Sequence, residues 1–243
     1  MKMLSFASRT AKEIVRDPIN IAFGLGFPII LIVLLSTIQA NIPVDMFEIE
    51  MLAPGVTVFG LSFMTLFSAF LLSKDRESAF FNRLYTTSLT ATDFVIGYTL
   101  PLIPIAMLQS VITYIAAMIF GFQWSWNILT SIAATILISV IFIAVGLISG
   151  ILLTSKQVGG FCGALFTNIT AWLSGIWFDV KLAGKVFENI AQVLPFMHAV
   201  ELQRAVIGGN YSDILPHFIW VACYAVGLSF VAVTLFIRKM KKL

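Results

Sequence analysis

The sequence predicts an all-α membrane protein: six transmembrane helices behind an N-terminal interfacial helix, with re-entrant helices between spans five and six. Three observations carry this. Six apolar stretches run roughly Ile19 to Gln39, Leu52 to Ser73, Phe94 to Phe122, Ile128 to Thr154, Val158 to Phe178 and Ile214 to Ile237. Each reaches the roughly 20 apolar residues that a helix needs to cross a hydrocarbon core. The 243-residue chain is 59% apolar and only 11% charged, too little polar surface to cover a soluble globule. Its fifteen Lys and Arg also alternate between the connections. Twelve lie before the first stretch, after the second, after the fourth and after the last, and three lie in the intervening connections. By the positive-inside rule both termini are expected in the cytoplasm of a multi-pass cell-membrane protein. The expected organisation is an interfacial helix over residues 1–18 and one six-helix transmembrane domain over 19–243.

In the first segment Leu4, Ala7, Ala11, Ile14 and Val15 recur at helical spacing while Lys2, Arg9, Lys12, Glu13 and Arg16 fall elsewhere, the pattern of a helix lying in the membrane interface. A cleaved signal peptide is the alternative. Glu13, Asp17 and an apolar run longer than an h-region favour a retained span. Asp17 before Pro18 supplies an N-cap and a proline at the first helical position. The Ala40 to Met51 connection holds three acids and no base.

Lys74 to Asp93 is the most charged stretch. Lys74, Asp75, Arg76 and Glu77 open it, Phe80, Phe81 and Leu84 follow on one side of a short helix with Arg83 at its edge, and Thr90 with Asp93 has the form of a capping box. Aromatics among charges on an inner connection suggest a docking surface for a soluble partner, whereas a solvated loop has no use for a Phe pair. Between Asp179 and Asp213 the chain stays apolar although extracellular. Leu182, Val186, Ile190 and Val193 keep a helical period to Pro195, and a second helix from Phe196 to Ile207 stops at Gly208 and Gly209.

The absent residues bear on energy. None of the six stretches contains Asp, Glu, Lys or Arg, and His217 is the one side chain in them that ordinarily titrates near neutral pH, so the acidic relay of a proton-coupled carrier is missing. A G-x-x-x-x-G-K-[ST] phosphate loop is missing too, since Gly184-Lys185 is followed by Val186. Transport against a gradient would need energy from another protein. His198, Glu201 and Arg204 recur at three-residue spacing, which suits a local Glu201–Arg204 pair better than a catalytic or metal site. Cys162 and Cys223 fall within spans as packing residues, and the net charge of +3 sits at membrane boundaries facing lipid heads, with no nucleic-acid role.

With these residues in view the chain resembles the membrane permease subunit of a type-2 ATP-binding-cassette (ABC) exporter. Arg16-Asp17-Pro18 with Pro28 is similar to the family's interfacial helix and first span, and Leu52-Ala53-Pro54-Gly55 to the start of its second. Asp75-Arg76-Glu77 through Arg83-Leu84, then Thr86-Thr87-Ser88-Leu89, resembles its cytoplasmic stretch. Ser174-Gly175, Phe178, Leu194-Pro195 and Ala199 resemble the end of its fifth span and the re-entrant helices. The resemblance implies a homodimer or paralogous pair of permeases, coupled to separate ATPase subunits that hold ATP and Mg, with no cofactor, metal or catalytic residue on this chain. It implies that Arg76, Glu77, Phe80, Phe81 and Arg83 couple to the ATPase. A path between two copies would be walled by Phe59, Phe63, Thr65 and Phe67 of the second span and by Asn168 and Trp172 of the fifth. A non-transporting anchor for a soluble protein is the alternative, and an ion-coupled carrier or channel the third reading.

The topology is testable with single cysteines at Val44 and Lys239. An impermeant thiol reagent added outside should label the first and spare the second; equal labelling of both would overturn the arrangement.

Overall fold

The structure is a computed structural model and describes residues 2–43, 47–78 and 89–240. Five of its helices are long and apolar enough to cross a membrane: α2 (Pro18–Gln39), α3 (Ile49–Glu77), α4 (Ala91–Ile119), α5 (Asn127–Leu152) and α10 (Tyr211–Met240). The chain is a multi-pass membrane protein. Ahead of α2 lies α1 (Lys2–Val15). After α5 come α6 (Ser155–Val158), a π-helical segment Gly159–Phe166 and α7 (Thr167–Leu173), then a 3-10 turn Val180–Ala183, α8 (Lys185–Val193) and α9 (Pro195–Gly208).

Helix α3 is the axis of the bundle, buried on nearly every face. It packs closest on α5, where Gly146 and Gly150 remove the side chains that would hold the helices apart. A Cβ on Gly146 would collide with Ser68 Oγ and the Thr65 carbonyl oxygen, and one on Gly150 would meet the Ala69 carbonyl oxygen at 2.8 Å. Across this contact Thr65 Oγ1 donates to the Phe142 carbonyl at 2.8 Å and Ser68 Oγ to that of Ile143 at 3.2 Å. Small residues and hydroxyls matter here because lipid tails are as apolar as leucine, so water expulsion does little to press one span on another.

The caps read from sequence are present. Asp17 accepts from the Asn20 amide at 3.3 Å, and Thr90 with Asp93 forms a full capping box at the start of α4. Gly209, at φ +69, takes the left-handed conformation that closes α9. In α1 the stripe packed on the bundle is Phe6, Ala7, Thr10 and Ile14, with Phe6 seated over Gly97. Leu4 and Val15 face outward, so α1 carries two apolar faces, one for the bundle and one free for the membrane interface.

Both chain ends flank the same residue. The ring of Phe94 contacts Phe6 of α1 at 5.4 Å and Phe236 of α10 at 5.2 Å, so α1 and the end of α10 share the end of the bundle where the basic connections gather.

The stretch expected as one α-helical fifth span is built differently. Its middle is π-helical, where Gly159, Gly160 and Gly163 offer no Cβ to resist the wider winding. Backbone angles stay helical through both junctions, so residues 155–173 form one uninterrupted helical run. It starts where Ser155 meets the last turn of α3 and ends where Ile176 packs on Gly55 in the first turns of α3, and so runs the length of the axis helix. Of the two helices after it, α8 leaves Val186, Ile190 and Val193 exposed, whereas α9 is buried against α3, α5 and α10.

The close α3–α5 contact makes a stability prediction. Gly146→Ala should cost about 1–3 kcal/mol, the usual price of overpacking, and lower the thermal midpoint in detergent. Gly26→Ala, with nothing within 4 Å of the added carbon, should leave that midpoint unchanged.

Candidate functional site

The last turn of α3 presents four consecutive charged residues. Successive side chains on a helix point about 100° apart, so each meets a different neighbour. Lys74 Nζ lies 3.9 Å from Asp17 Oδ2, at the junction of α1 and α2. Asp75 is 4% exposed, and its carboxylate accepts from both terminal nitrogens of Arg9, at 2.5 and 2.8 Å, and from the Tyr98 hydroxyl at 2.7 Å. Arg76 donates to the carbonyls of Ile151 and Leu153, the free acceptors at the end of α5. Glu77 Oε1 accepts from the Ser155 amide at 2.8 Å, the first N–H of α6, while Ser155 Oγ donates to Ser73 Oγ at 3.1 Å. One helical turn thereby joins α1, α2, α4, α5 and α6.

The electrostatics grade these contacts. For Arg9, burial lowers the guanidinium, but the hydrogen bond and charge of Asp75 carry it above its usual value. The Glu13 carboxyl is raised, first by burial and then by the charge of Asp75, with Arg9 and Lys74 opposing. The fold therefore favours Glu13 neutral, and its ionisation works against the fold as pH rises through the raised value. The Arg9–Glu13 contact at 2.8 Å is half-exposed and contributes little, whereas the Arg9–Asp75 pair holds a buried charge.

Of the residues expected to couple to an ATPase, Arg76 and Glu77 sit in this hub with partners inside the chain. Phe80, Phe81 and Arg83 lie outside the described residues.

The candidate pathway residues separate into two groups. Phe59 and Phe67 are buried, Thr65 is fully buried between α3 and α5, and Phe63 is half-buried. Phe59 and Phe63 belong to a ring cluster with Phe27 of α2, and Phe59 also touches Trp177 edge-on at 5.7 Å. Asn168 and Trp172 instead lie exposed on α7, in one stripe with Phe161 and Leu165. Asn168 turns its amide back onto the Ala164 carbonyl at 2.8 Å.

Sequence reasoning missed a polar seam inside the opposite half of the bundle. Gln203 of α9, fully buried, accepts from Ser131 Oγ and donates to the Ser131 carbonyl at 3.1 Å and to Thr135 Oγ1 at 3.0 Å. Tyr114 OH lies 2.6 Å from Ser131 Oγ. The available signal was a glutamine in an apolar helix. The expected Glu201–Arg204 pair forms at 2.9 Å, and Arg204 also binds the carbonyls of Met51 and Gly175. His198 leaves that stripe: its Nδ1 lies 2.9 Å from His217 Nδ1, and its ring stacks on Trp220. Among the described residues no cluster of three or more His, Cys, Asp or Glu is placed to hold a metal.

At the same end a cavity of about 700 Å³ lies between the start of α3, the 3-10 turn, α8 and α9. Trp177 forms part of its wall, which connects it with the ring cluster through Phe59.

Two comparisons bear on this architecture. The profile of a family described as ABC-2 type transporter matches residues 2–207. The chain is similar to Nodulation protein J of Bradyrhizobium diazoefficiens, at 25% identity over 225 residues, which cover 92% of this chain and 84% of that protein.

The hub makes a paired prediction. Arg9→Ala leaves the Asp75 carboxylate buried with the Tyr98 hydroxyl and should cost on the order of 2–3 kcal/mol, below the full range for a broken buried pair because Arg9 is itself one-third exposed. Glu13→Gln removes a charge that the fold disfavours and should leave stability unchanged or slightly raised. Thermal unfolding of both variants in detergent checks this, and equal losses would contradict the ranking.

Proposed function

Because the chain belongs to the ABC-2 type transporter family, whose membrane domain is a permease without a nucleotide-binding domain of its own, we propose that it is the permease subunit of an ATP-driven exporter. Two copies, or one copy and a close paralogue, enclose the substrate path. A separate ABC ATPase binds ATP and Mg and supplies the energy. The helical run 155–173 is the fifth of six spans, α8 and α9 are the re-entrant pair at the outer face, and both termini lie in the cytoplasm of the cell membrane. The 12 to 3 division of basic residues supports that orientation.

The observation that carries the proposal is the hub at the end of α3. The charged and aromatic stretch 79–88 follows directly from it, so a partner that moves this stretch pulls on Arg76 and Glu77. Arg76 and Glu77 grip the turn between α5 and α6, where the helical run bearing Asn168 and Trp172 begins. Phe80, Phe81 and Arg83 supply contact to the ATPase. Arg76 and Glu77 pass its motion on. This division accounts for the intramolecular partners of Arg76 and Glu77.

The test is ATP hydrolysis by the co-expressed ATPase with and without the chain. The unmodified chain should co-purify with the ATPase and raise its rate. Phe81→Ala should weaken co-purification, with losses up to about 2 kcal/mol where the contact is fully buried. Glu77→Ala should leave assembly intact yet separate hydrolysis from export, because it frees Ser155 and leaves the docking residues in place. Unchanged assembly, hydrolysis and export in both variants would falsify the coupling route.

A further inference from the structure

The outer cavity has a chemistry of its own. Its volume of about 700 Å³ falls in the range of small-molecule sites, roughly 300–1,000 Å³. Four carboxylates, Glu48, Asp179, Glu188 and Glu201, border it with two cations, Lys181 and Arg204. Arg204 is occupied by Glu201 at 2.9 Å and by the carbonyls of Met51 and Gly175. That leaves three carboxylates against the single ammonium of Lys181. Asp179 accepts from the Lys181 backbone amide at 3.0 Å and Glu188 from the Gln192 side chain at 3.2 Å; these donors are neutral and leave the negative charge in place. Between the carboxylates the wall is apolar and aromatic, with Trp177, Phe178, Met51 and Met197. The edge contact with Phe59 fixes the Trp177 ring.

We propose that this cavity binds amphipathic organic cations, molecules with a flat or bulky apolar body and an ammonium, phosphonium or guanidinium group. Resting on the exporter reading above, it assigns the cavity as the release-side station of the path and this chemistry as its substrate class. Aromatic faces attract cations through their quadrupole, and the attraction strengthens as water is excluded. The carboxylates supply the long-range field and reject anions of the same shape. The aromatic contacts from Phe63 through Phe59 to Trp177 provide a continuous apolar surface from the interior of α3 to the cavity wall.

The experiment uses two probes of the same size and opposite charge on the full chain in nanodiscs. Tetraphenylphosphonium should bind saturably, whereas tetraphenylborate should show at least tenfold weaker saturable binding. The triple variant Glu48→Gln, Asp179→Asn, Glu188→Gln should lose at least tenfold in tetraphenylphosphonium affinity. Trp177→Ala should lose several-fold, with an unchanged thermal midpoint establishing that each variant is folded. Equal binding of both ions, full affinity in the folded triple variant, or displacement of the phosphonium by a neutral disaccharide would each overturn the assignment. The readout needs no ATPase. Absent phosphonium binding alongside intact ATPase stimulation rejects the substrate class and leaves the exporter reading standing; saturable binding without ATPase association does the reverse.

Discussion

The carboxylate of Asp75, 4% exposed at the basic end of the bundle, is tolerable there only because three donors converge on it. A buried charge costs several kcal/mol in desolvation unless partners return it, so Arg9 and Tyr98 must both stay in reach. That requirement fixes α1 against α3 and α4, and the neighbours of Asp75 extend it. Lys74 is drawn toward Asp17, Arg76 toward the end of α5, and Glu77 toward the start of α6. The hydrophobic cluster of Phe6, Phe94 and Tyr98 then packs beneath the ion pair and keeps water from it. Helix α1 is thereby made part of the bundle.

The other end is fixed by hydrogen bonds of a different kind. Helix α9 lies between two spans yet is buried, and Gln203 satisfies its amide on Ser131 and Thr135 of α5. In an apolar interior an unpaired amide is costly, so this network specifies where α9 docks as much as it stabilises the docking. The chain is thus pinned at both ends of α5, by Arg76 at one and Gln203 at the other. Between them the glycine seam holds α3 and α5 in contact.

Five of the spans, the caps at Asp17 and Thr90 and the Gly209 stop were legible because each is written in residues close together in sequence. The hub was legible only as a run of charges. Arg9 and Asp75 are 66 residues apart and Glu77 and Ser155 are 78 apart, and no local period announces such pairs. A surface run and a buried junction look alike in one dimension. The π-helical winding was hidden for another reason: apolar composition and length mark a span without fixing its hydrogen-bond register, and the glycines at 159, 160 and 163 permit several. Among the candidate pathway residues, the aromatic enrichment of α3 was visible, but an aromatic that lines a path and one that fills a core read identically. Phe59 and Phe67 are buried while Trp172 is exposed.

The position of the π-helical segment gives the hub its mechanical meaning. Three residues, 156–158, separate Glu77's hold on Ser155 from a stretch whose backbone is wound more loosely than its flanks. A π-helical turn accommodates one residue more than an α-helical turn, so a change between the two windings turns everything beyond it by about 100°. Beyond it lie Asn168 and Trp172, exposed on α7, and then Trp177 at the wall of the cavity beside α8 and α9. By contrast α3 and α5 are held by close backbone contact, and α4 is tied to α3 through Tyr98 and Asp75. The glycine-rich run joins the basic end of the bundle to the segment that carries Trp177 into the cavity wall.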